Sequence, residues 1–215
     1  MKIAILGSKG ITAGYGGFET FTEELSIRLI RKDFDITVYC KSDIPKKDKI
    51  YKGVRLKYVA SSSDGVINEL LYDLRSIIYA MKESDIIYML GYGSSPFLIL
   101  PRIFGKTVVT NVDGLEWKRR KWNKLQQLYL RICERVAVWF SHYIIADSMG
   151  IKEYIDKKYK INSKYIAYGA YLIQEGNESY IHTLGLEKEG YYLVVARMEP
   201  ENNIDIIIKG FIKSN

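Results

Sequence analysis

A glycine-rich segment near the start of the chain has the composition of an anion-binding loop. It covers residues 7–17, follows the apolar run 2–6 and precedes a segment of helical character. Backbone N–H groups at a helix start, with the positive end of the helix dipole, bind phosphate, and glycine allows close backbone approach. Gly16 and Gly17 are therefore candidate phosphate contacts, with a ligand-free strand-to-helix turn as the alternative. The glycine spacing is not GxGxxG, so a dinucleotide site is a poor match.

The elements that must position this loop alternate between strand-like and helix-like segments. The strand candidates lack clean polar alternation, as expected for strands covered on both faces. They are Lys2–Leu6, Asp35–Cys40, Val54–Val59, Ile86–Leu90, Thr107–Val112, Tyr143–Ala146, Lys164–Ala167 and Tyr192–Ala196. The helix candidates are Glu19–Lys32, Val66–Lys82, Lys121–Phe140, Gly150–Lys158 and Ile204–Lys213. In the third helix, an apolar stripe at three- and four-residue steps is expected to face the core; it comprises Leu125, Leu128, Tyr129, Ile132, Val136 and Trp139.

This alternation predicts an α/β fold with a doubly wound, Rossmann-like parallel sheet over residues 1–173. Ligands of such sheets bind beyond the carboxyl ends of the strands. The segments to consider therefore follow the strands: 7–17, 91–95, 113–117, 147–148 and 197–203. Residues 174–190 are polar and weakly patterned and are predicted to be a linker. Residues 191–215 supply one βα unit, which cannot bury its own faces, so we expect them to begin an incomplete second Rossmann-like domain.

Composition narrows the class of protein. The chain has 215 residues, 47% hydrophobic and 27% charged, which is typical of globular rather than disordered proteins. Its two cysteines have no pairing or metal-binding pattern, which favours a reducing compartment. No apolar run is long enough for a signal-peptide core or a membrane span, so we expect a cytoplasmic protein. The net charge of +7 favours anionic partners.

Three segments together resemble a known enzyme family. They read GYGGFET at 14–20, NVDGLEWKR at 111–119 and VVARMEPENN at 194–203. In this order they are similar to the retaining GT-B glycosyltransferases of the glycosyltransferase group 1 (family 4) class, and above all to its bacterial rhamnosyltransferase subgroup. The resemblance implies transfer of a sugar from a nucleotide diphosphate donor, with retention of anomeric configuration and without a cofactor or obligatory metal. It also implies that the N-terminal domain holds the acceptor and the C-terminal domain most of the donor.

The resemblance assigns roles to individual residues. The amides of Gly16 and Gly17 would face the donor diphosphate or the acceptor. Asp113 would lie near the reacting sugar, where a carboxylate can accept a proton or a hydrogen bond from the attacking hydroxyl. An Asp-Gly turn that closes the strand is the alternative. Glu19 lies in the first helical turn, so a ligand contact and stabilisation of the helix dipole are both open.

Further roles concern the acceptor and the diphosphate. Glu116 and Trp117 would contact the acceptor, unless they only start the next helix. Arg197 would bind the donor diphosphate and stabilise the charge on the departing nucleotide, with an exposed strand-end arginine as the alternative. Asn202 stands in the region where many relatives carry a phosphate-binding lysine. The paired-glutamate segment that contacts the donor sugar would lie beyond Asn215, so we expect little transferase activity from these 215 residues alone.

The resemblance suggests dTDP-rhamnose as donor and a polyprenyl-diphosphate-linked saccharide as acceptor in surface-polysaccharide synthesis. The basic and aromatic residues of 117–124 suit an anionic membrane surface, with a solvated basic face as the alternative. Other classes remain open: a nucleotide-sugar epimerase of similar architecture, or a non-catalytic module that binds a membrane or phosphate. A nicotinamide-dependent oxidoreductase is disfavoured, since Cys40 and Lys41 stand where an acidic residue would end the second strand. Nucleic acid is not expected, because no recognised motif for it is present.

Overall fold

The computed structural model describes residues 1–12, 14, 16–42, 49–61, 65–172, 176, 179–196 and 198–214. The chain divides into two compact units. The first comprises Met1–Trp117 and Lys124–Tyr168, and the second comprises Lys118–Asn123 and Gly169–Asn215. No helix within the described residues has the length and hydropathy needed to cross a membrane.

The first unit is built on an eight-stranded sheet. Its strands are β1 Lys2–Leu6, β2 Asp35–Lys41, β3 Ile50–Tyr51, β4 Val54–Val59, β5 Ile86–Leu90, β6 Thr107–Val112, β7 Tyr143–Ala146 and β8 Lys164–Tyr165. The strand order is β3-β4-β2-β1-β5-β6-β7-β8. All neighbours are parallel except β3 and β4, which form an antiparallel hairpin. The predicted doubly wound parallel sheet is confirmed.

Helices cover the sheet on both faces. The α-helices of the first unit are α1 Gly17–Ile30, α2 Val66–Glu83, α3 Ile99–Ile103, α4 Lys124–Phe140 and α5 Met149–Tyr159, and 3₁₀ turns cover Ser95–Leu98 and Glu116–Lys118. In β1, Leu6 belongs to a core cluster that includes Ile77 of α2. Ile5 belongs to a separate cluster against which Leu25 of α1 packs. Because successive strand residues face opposite sides, α1 and α2 lie on opposite faces of the sheet.

The strand order reverses direction at β1. The chain moves from β1 to β2 on one side, and later returns to β5 on the other side of β1. In open parallel sheets of this kind, the crevice at the carboxyl ends of the strands flanking this point is where ligands bind. The carboxyl edge of the sheet near β1 and β5 is therefore the place to look for a site.

The second unit contains two α-helices, α6 Ser179–Thr183 and α7 Ile204–Ser214, and a 3₁₀ turn at Pro200–Asn202. Helix α7 lies where a helix was predicted. Residues 192–196 were predicted to form a strand, but among the described residues they have no partner strand and make no ladder. A single extended segment has no strand hydrogen bonds of its own, so its sequence preference alone does not produce a strand.

The apolar stripe of α4 does not face the core as predicted. Leu125 is 76% exposed and Trp139 is 64% exposed. The buried positions of α4 are Leu130, Cys133, Glu134 and Ala137, which lie on the other side of the helix. The α4 prediction was wrong because the inward face is built from one leucine, two small residues and one charged residue, and the burial of Glu134 depends on partners distant in sequence.

Candidate functional site

The glycine-rich loop lies directly against the neighbouring strands. Gly7 has φ +89°, and a Cβ atom there would be 2.2 Å from the carbonyl oxygen of Leu90 in β5. Gly10 has φ +118°, and a Cβ atom there would be 2.6 Å from Sγ of Cys40 in β2. Both the conformation and the space therefore require glycine. The loop runs at the carboxyl edge of the sheet with its backbone in contact with β2 and β5.

Helix α1 begins directly after this loop. Gly16 is its N-cap residue and Gly17 its first residue, so the N-cap position has no side chain with which to cap the helix. Gly17 is exposed, with open space beside its Cα. The buried carboxylate of Glu19 accepts a hydrogen bond of 2.9 Å from the backbone N–H of Lys9. Glu19 thus ties the loop to the first turn of the helix, and its contact with a ligand stays a prediction.

The end of β6 carries a second group of polar residues. Asn111 is 1% exposed, and its Nδ2 donates a hydrogen bond of 3.1 Å to the hydroxyl oxygen of Tyr168. Its Oδ1 is buried and has no hydrogen-bond partner among the described residues. The Tyr168 ring packs on Phe21 of α1, with ring centroids 4.8 Å apart. Tyr168 therefore connects the first helix to the end of β6, beside the loop that carries Asp113.

Tyr168 also lies in the electrostatic field of two carboxylates. Burial, the negative charge of Asp113 and, more weakly, that of Asp147 raise the pKa of Tyr168 to about 12. Its hydroxyl therefore keeps its proton at neutral pH and can act as a hydrogen-bond donor. Asp113 is exposed and follows β6, as predicted. The sequence analysis missed Tyr168, although it directly follows the predicted strand 164–167 and the strand-end rule would have included it.

The loop after Asp113 is held by buried groups. The hydroxyl of Tyr92 accepts a hydrogen bond of 2.7 Å from the backbone N–H of Glu116. The indole Nε1 of Trp117 donates to Glu134 at 2.8 Å, and the guanidinium of Arg131 lies 4.4 Å from the Trp117 ring centre. One face of the Trp117 ring is thus occupied within the protein. Trp117 anchors the loop, and Glu116 starts a 3₁₀ turn, which was the alternative to its acceptor contact.

Glu134 is the centre of the network behind this loop. It is 0% exposed. Besides Trp117, it accepts hydrogen bonds from Lys158 at 2.7 Å, from Tyr159 at 2.6 Å and from Tyr154 at 3.1 Å. Burial alone would lower the pKa of Lys158, but its hydrogen bonds to Glu134 and these tyrosines raise it. A fully buried carboxylate is tolerated here because four donors surround it, one from the 116–118 turn and three from α5.

A further carboxylate, that of Asp73, is half-buried in the middle of α2. Burial raises the pKa of Asp73 to about 7, despite a hydrogen bond from the Ser94 hydroxyl that lowers it and with a smaller upward contribution from Glu69. Lys41, the buried last residue of β2, forms an ion pair with Glu69. Asp73 was not singled out from the sequence. Nothing local in the helical pattern of α2 distinguishes it from an exposed carboxylate.

The structure brings five of the predicted site residues to the carboxyl edge of one sheet: Gly16, Gly17, Glu19, Asp113 and Glu116. The contacts of Tyr168 with Phe21 and Asn111 link α1 to the end of β6. Asn202 belongs to the second unit, where it is exposed and its backbone N–H donates to the carbonyl of Glu199 at 3.0 Å. Arg197 lies outside the described residues, so its predicted role stays a prediction.

Residues 1–171 match a family described as "Domain of unknown function (DUF1972)". The chain belongs to this family. The match spans the whole first unit of the DUF1972 protein, including the glycine-rich loop, the Asp113 loop and Tyr168. None of the curated proteins compared with the chain matches it.

Solved structures share the fold of this DUF1972 protein at low sequence identity. Sucrose-phosphate synthase from Thermosynechococcus elongatus is 12% identical, with a TM-score of 0.60 over 86% of this chain and 53% of that one. Anabaena HepE, in complex with UDP and glucose, is 15% identical, with a TM-score of 0.55 over 86% and 50%. UDP-GlcNAc 2-epimerase from Methanocaldococcus jannaschii is 15% identical, with a TM-score of 0.51 over 78% and 45%. The chain spans about half the length of these proteins. The likeness confirms the GT-B-type fold predicted for the N-terminal domain. It does not confirm the predicted rhamnosyltransferase subgroup.

Proposed function

We propose that this DUF1972 protein is the acceptor-side part of a retaining glycosyltransferase that uses a nucleotide diphosphate sugar. One observation carries the proposal: a glycine-rich helix start and a carboxylate loop meet the same sheet edge, in a fold shared with HepE, whose structure holds UDP and glucose. From the sequence resemblance we further propose dTDP-rhamnose as donor, a lipid-linked saccharide as acceptor, and surface-polysaccharide synthesis as the setting.

In this proposal each site residue has a distinct role in sugar transfer. Asp113 accepts a proton or a hydrogen bond from the acceptor hydroxyl as that hydroxyl attacks the donor sugar. Tyr168 stays protonated beside Asp113 and can donate a hydrogen bond to the acceptor or to the carboxylate. The amides of Gly16 and Gly17 and the side chain of Arg197 stabilise the negative charge that grows on the departing diphosphate. Asn202 is a further candidate contact to the diphosphate.

Acceptor binding tests this proposal without requiring turnover. We expect a water-soluble, short-chain prenyl-diphosphate sugar to bind the purified chain in isothermal titration calorimetry. Asp113→Asn should weaken binding about tenfold, because a charge-assisted hydrogen bond contributes roughly 1.5–3 kcal/mol. Asp33→Asn is the matched control, since Asp33 is exposed at the opposite, amino-terminal edge of the sheet. No binding, or equal binding by Asp113→Asn, would contradict the proposal.

The fold likeness to UDP-GlcNAc 2-epimerase favours a second candidate, a nucleotide-sugar epimerase. An epimerase acts on its nucleotide sugar alone, whereas a transferase needs an acceptor. Incubation of the chain with UDP-GlcNAc or dTDP-rhamnose, followed by nuclear magnetic resonance of the sugar, separates the two. We expect no isomerisation without an acceptor, and accumulation of an epimer would replace the transferase proposal.

A further inference from the structure

The exposed face of α4 combines apolar and basic side chains and carries no carboxylate. Its exposed residues are Lys124, Leu125, Leu128, Arg131, Ile132, Arg135 and Trp139. Glu134, the helix's one acidic residue, points inward and is fully buried. A surface helix of a globular protein normally exposes polar residues of both signs. Exposed leucine, isoleucine and tryptophan beside arginine and lysine are instead the composition of a helix that lies at a membrane interface.

Helix α2 extends this surface. A groove of about 450 Å³ lies between the first halves of the two helices, lined by Val66 and Leu70 of α2 and by Leu125, Leu128 and Ile132 of α4. Beyond the groove, Ile67 is 73% exposed. We call the exposed residues of α4, with Val66, Ile67 and Leu70, the α2–α4 face. The groove-lining side chains of this face form an exposed apolar patch with basic residues on the same face of α4, and large exposed apolar patches mark sites of interaction in soluble proteins.

We propose that the α2–α4 face docks on an anionic lipid bilayer. The apolar side chains would enter the boundary between headgroups and acyl chains, and Lys124, Arg131 and Arg135 would remain with the anionic headgroups. Trp139 lies 5.8 Å from the Arg135 guanidinium and suits the same depth, since its ring is apolar and its N–H is polar. In the sequence, two residues separate the basic run 118–121 from the start of α4. The proposal does not depend on the sugar-transfer activity.

The charge pattern favours a bilayer over other occupants of this face. A second copy docked face to face would bring the cations of one α4 toward those of the other, which repel each other. A nucleic acid would satisfy the cations, but its phosphate backbone would leave the leucine and isoleucine side chains without an apolar environment. An anionic bilayer supplies both environments within a few ångströms of depth.

Flotation with lipid vesicles tests the proposal. We expect the chain to float with phosphatidylcholine vesicles containing phosphatidylglycerol, and to float less with phosphatidylcholine alone. Lys124→Gln/Arg135→Gln should weaken binding about 30-fold, because each cation near an anionic surface contributes about fivefold. Arg31→Gln/Lys32→Gln, at the end of α1 on the other face of the sheet, is the charge-matched control and should bind as the parent does.

A second double variant, Leu128→Gln/Ile132→Gln, tests the contribution of the apolar side chains. Both side chains are more than half exposed, so the fold should persist, and circular dichroism checks this. We expect at least a tenfold loss of binding to anionic vesicles. Ile50→Gln, an exposed isoleucine of the edge strand β3, is the control and should have no effect. The proposal would be overturned if vesicle binding did not depend on anionic lipid, or if neither double variant weakened it.

Two other outcomes would assign the face to a different occupant and equally overturn the proposal. A dimer in sedimentation velocity that Leu128→Gln/Ile132→Gln dissociates would mean that a second copy covers the face. Binding to a double-stranded oligonucleotide that Lys124→Gln/Arg135→Gln abolishes, without binding to vesicles, would mean that nucleic acid does.

Discussion

Replacing Glu134 with glutamine should destabilise the first unit and loosen the loop that carries Asp113. The carboxylate is fully buried and accepts from Trp117, Tyr154, Lys158 and Tyr159. Breaking a buried ion pair costs about 3–5 kcal/mol. The Lys158 side chain is 34% exposed and can turn toward water, which favours the lower end, about 3 kcal/mol.

Urea denaturation followed by circular dichroism measures this loss. Glu153→Gln is the matched control, because Glu153 is exposed on α5 and its replacement should change the free energy of unfolding by less than about 0.5 kcal/mol. The emission of Trp117 should also shift to longer wavelength in Glu134→Gln, since the indole loses its buried acceptor. The double variant Glu134→Gln/Lys158→Met should recover part of the stability, because the Lys158 ammonium is then no longer left without its carboxylate partner.

A loss below about 1 kcal/mol, with unchanged tryptophan emission, would refute this reasoning. It would mean that the four hydrogen bonds of Glu134 only offset the cost of burying its charge. The Asp113 loop would then be held by the Tyr92 hydroxyl and the backbone rather than by Trp117.

Three further predictions concern the sheet edge. The native pKa of Asp73, about 7, is above its ordinary value of 3.8, so the parent should lose stability as pH rises from 4 through 7. Asp73→Asn should remove that dependence and raise the melting temperature at pH 8 relative to the parent; parallel pH profiles would contradict this. Gly10→Ala should cost more than about 2 kcal/mol in urea, against less than about 1 kcal/mol for the control Gly14→Ala, beside which a Cβ would contact nothing within 4 Å. Tyr168→Phe should cost about 1–3 kcal/mol in urea, because it removes the hydroxyl to which the buried side-chain amide of Asn111 donates, and an unchanged unfolding midpoint would argue against that bond.

The central strands could be predicted from the sequence almost residue by residue. The predicted bounds of β1, β4, β5, β6 and β7 agree with the structure. Four of these strands, β1, β5, β6 and β7, are followed directly by glycine or aspartate, which marks their ends in the sequence. Strand β3 was not predicted. It has only two residues, which pair with β4 across the tight turn at Lys52 and Gly53. Helix α3 was also missed, because Pro101 within it is typical of a break rather than of a helix.

The site could be predicted only in part, because its supporting contacts are distant in sequence. The strand-end rule identified the Asp113 loop and the glycine-rich loop. It did not reveal that Glu134 would be buried, since that depends on Trp117 and on two turns of α5. For the same reason it could not tell which side of α4 faces inward. A stripe of leucine and isoleucine has the same spacing on a core face as on a face that awaits a partner.

The contact of Gly7 and Gly10 with the neighbouring strands bears on how fast a ligand could be captured. The peptide planes around these two residues rest directly on β5 and β2, so this stretch has little freedom to lose when a molecule arrives. Ligand binding at this loop would therefore cost little conformational entropy of the chain. Capture would then be limited by diffusion and by access to the edge, and any slow step would have to arise elsewhere in the protein.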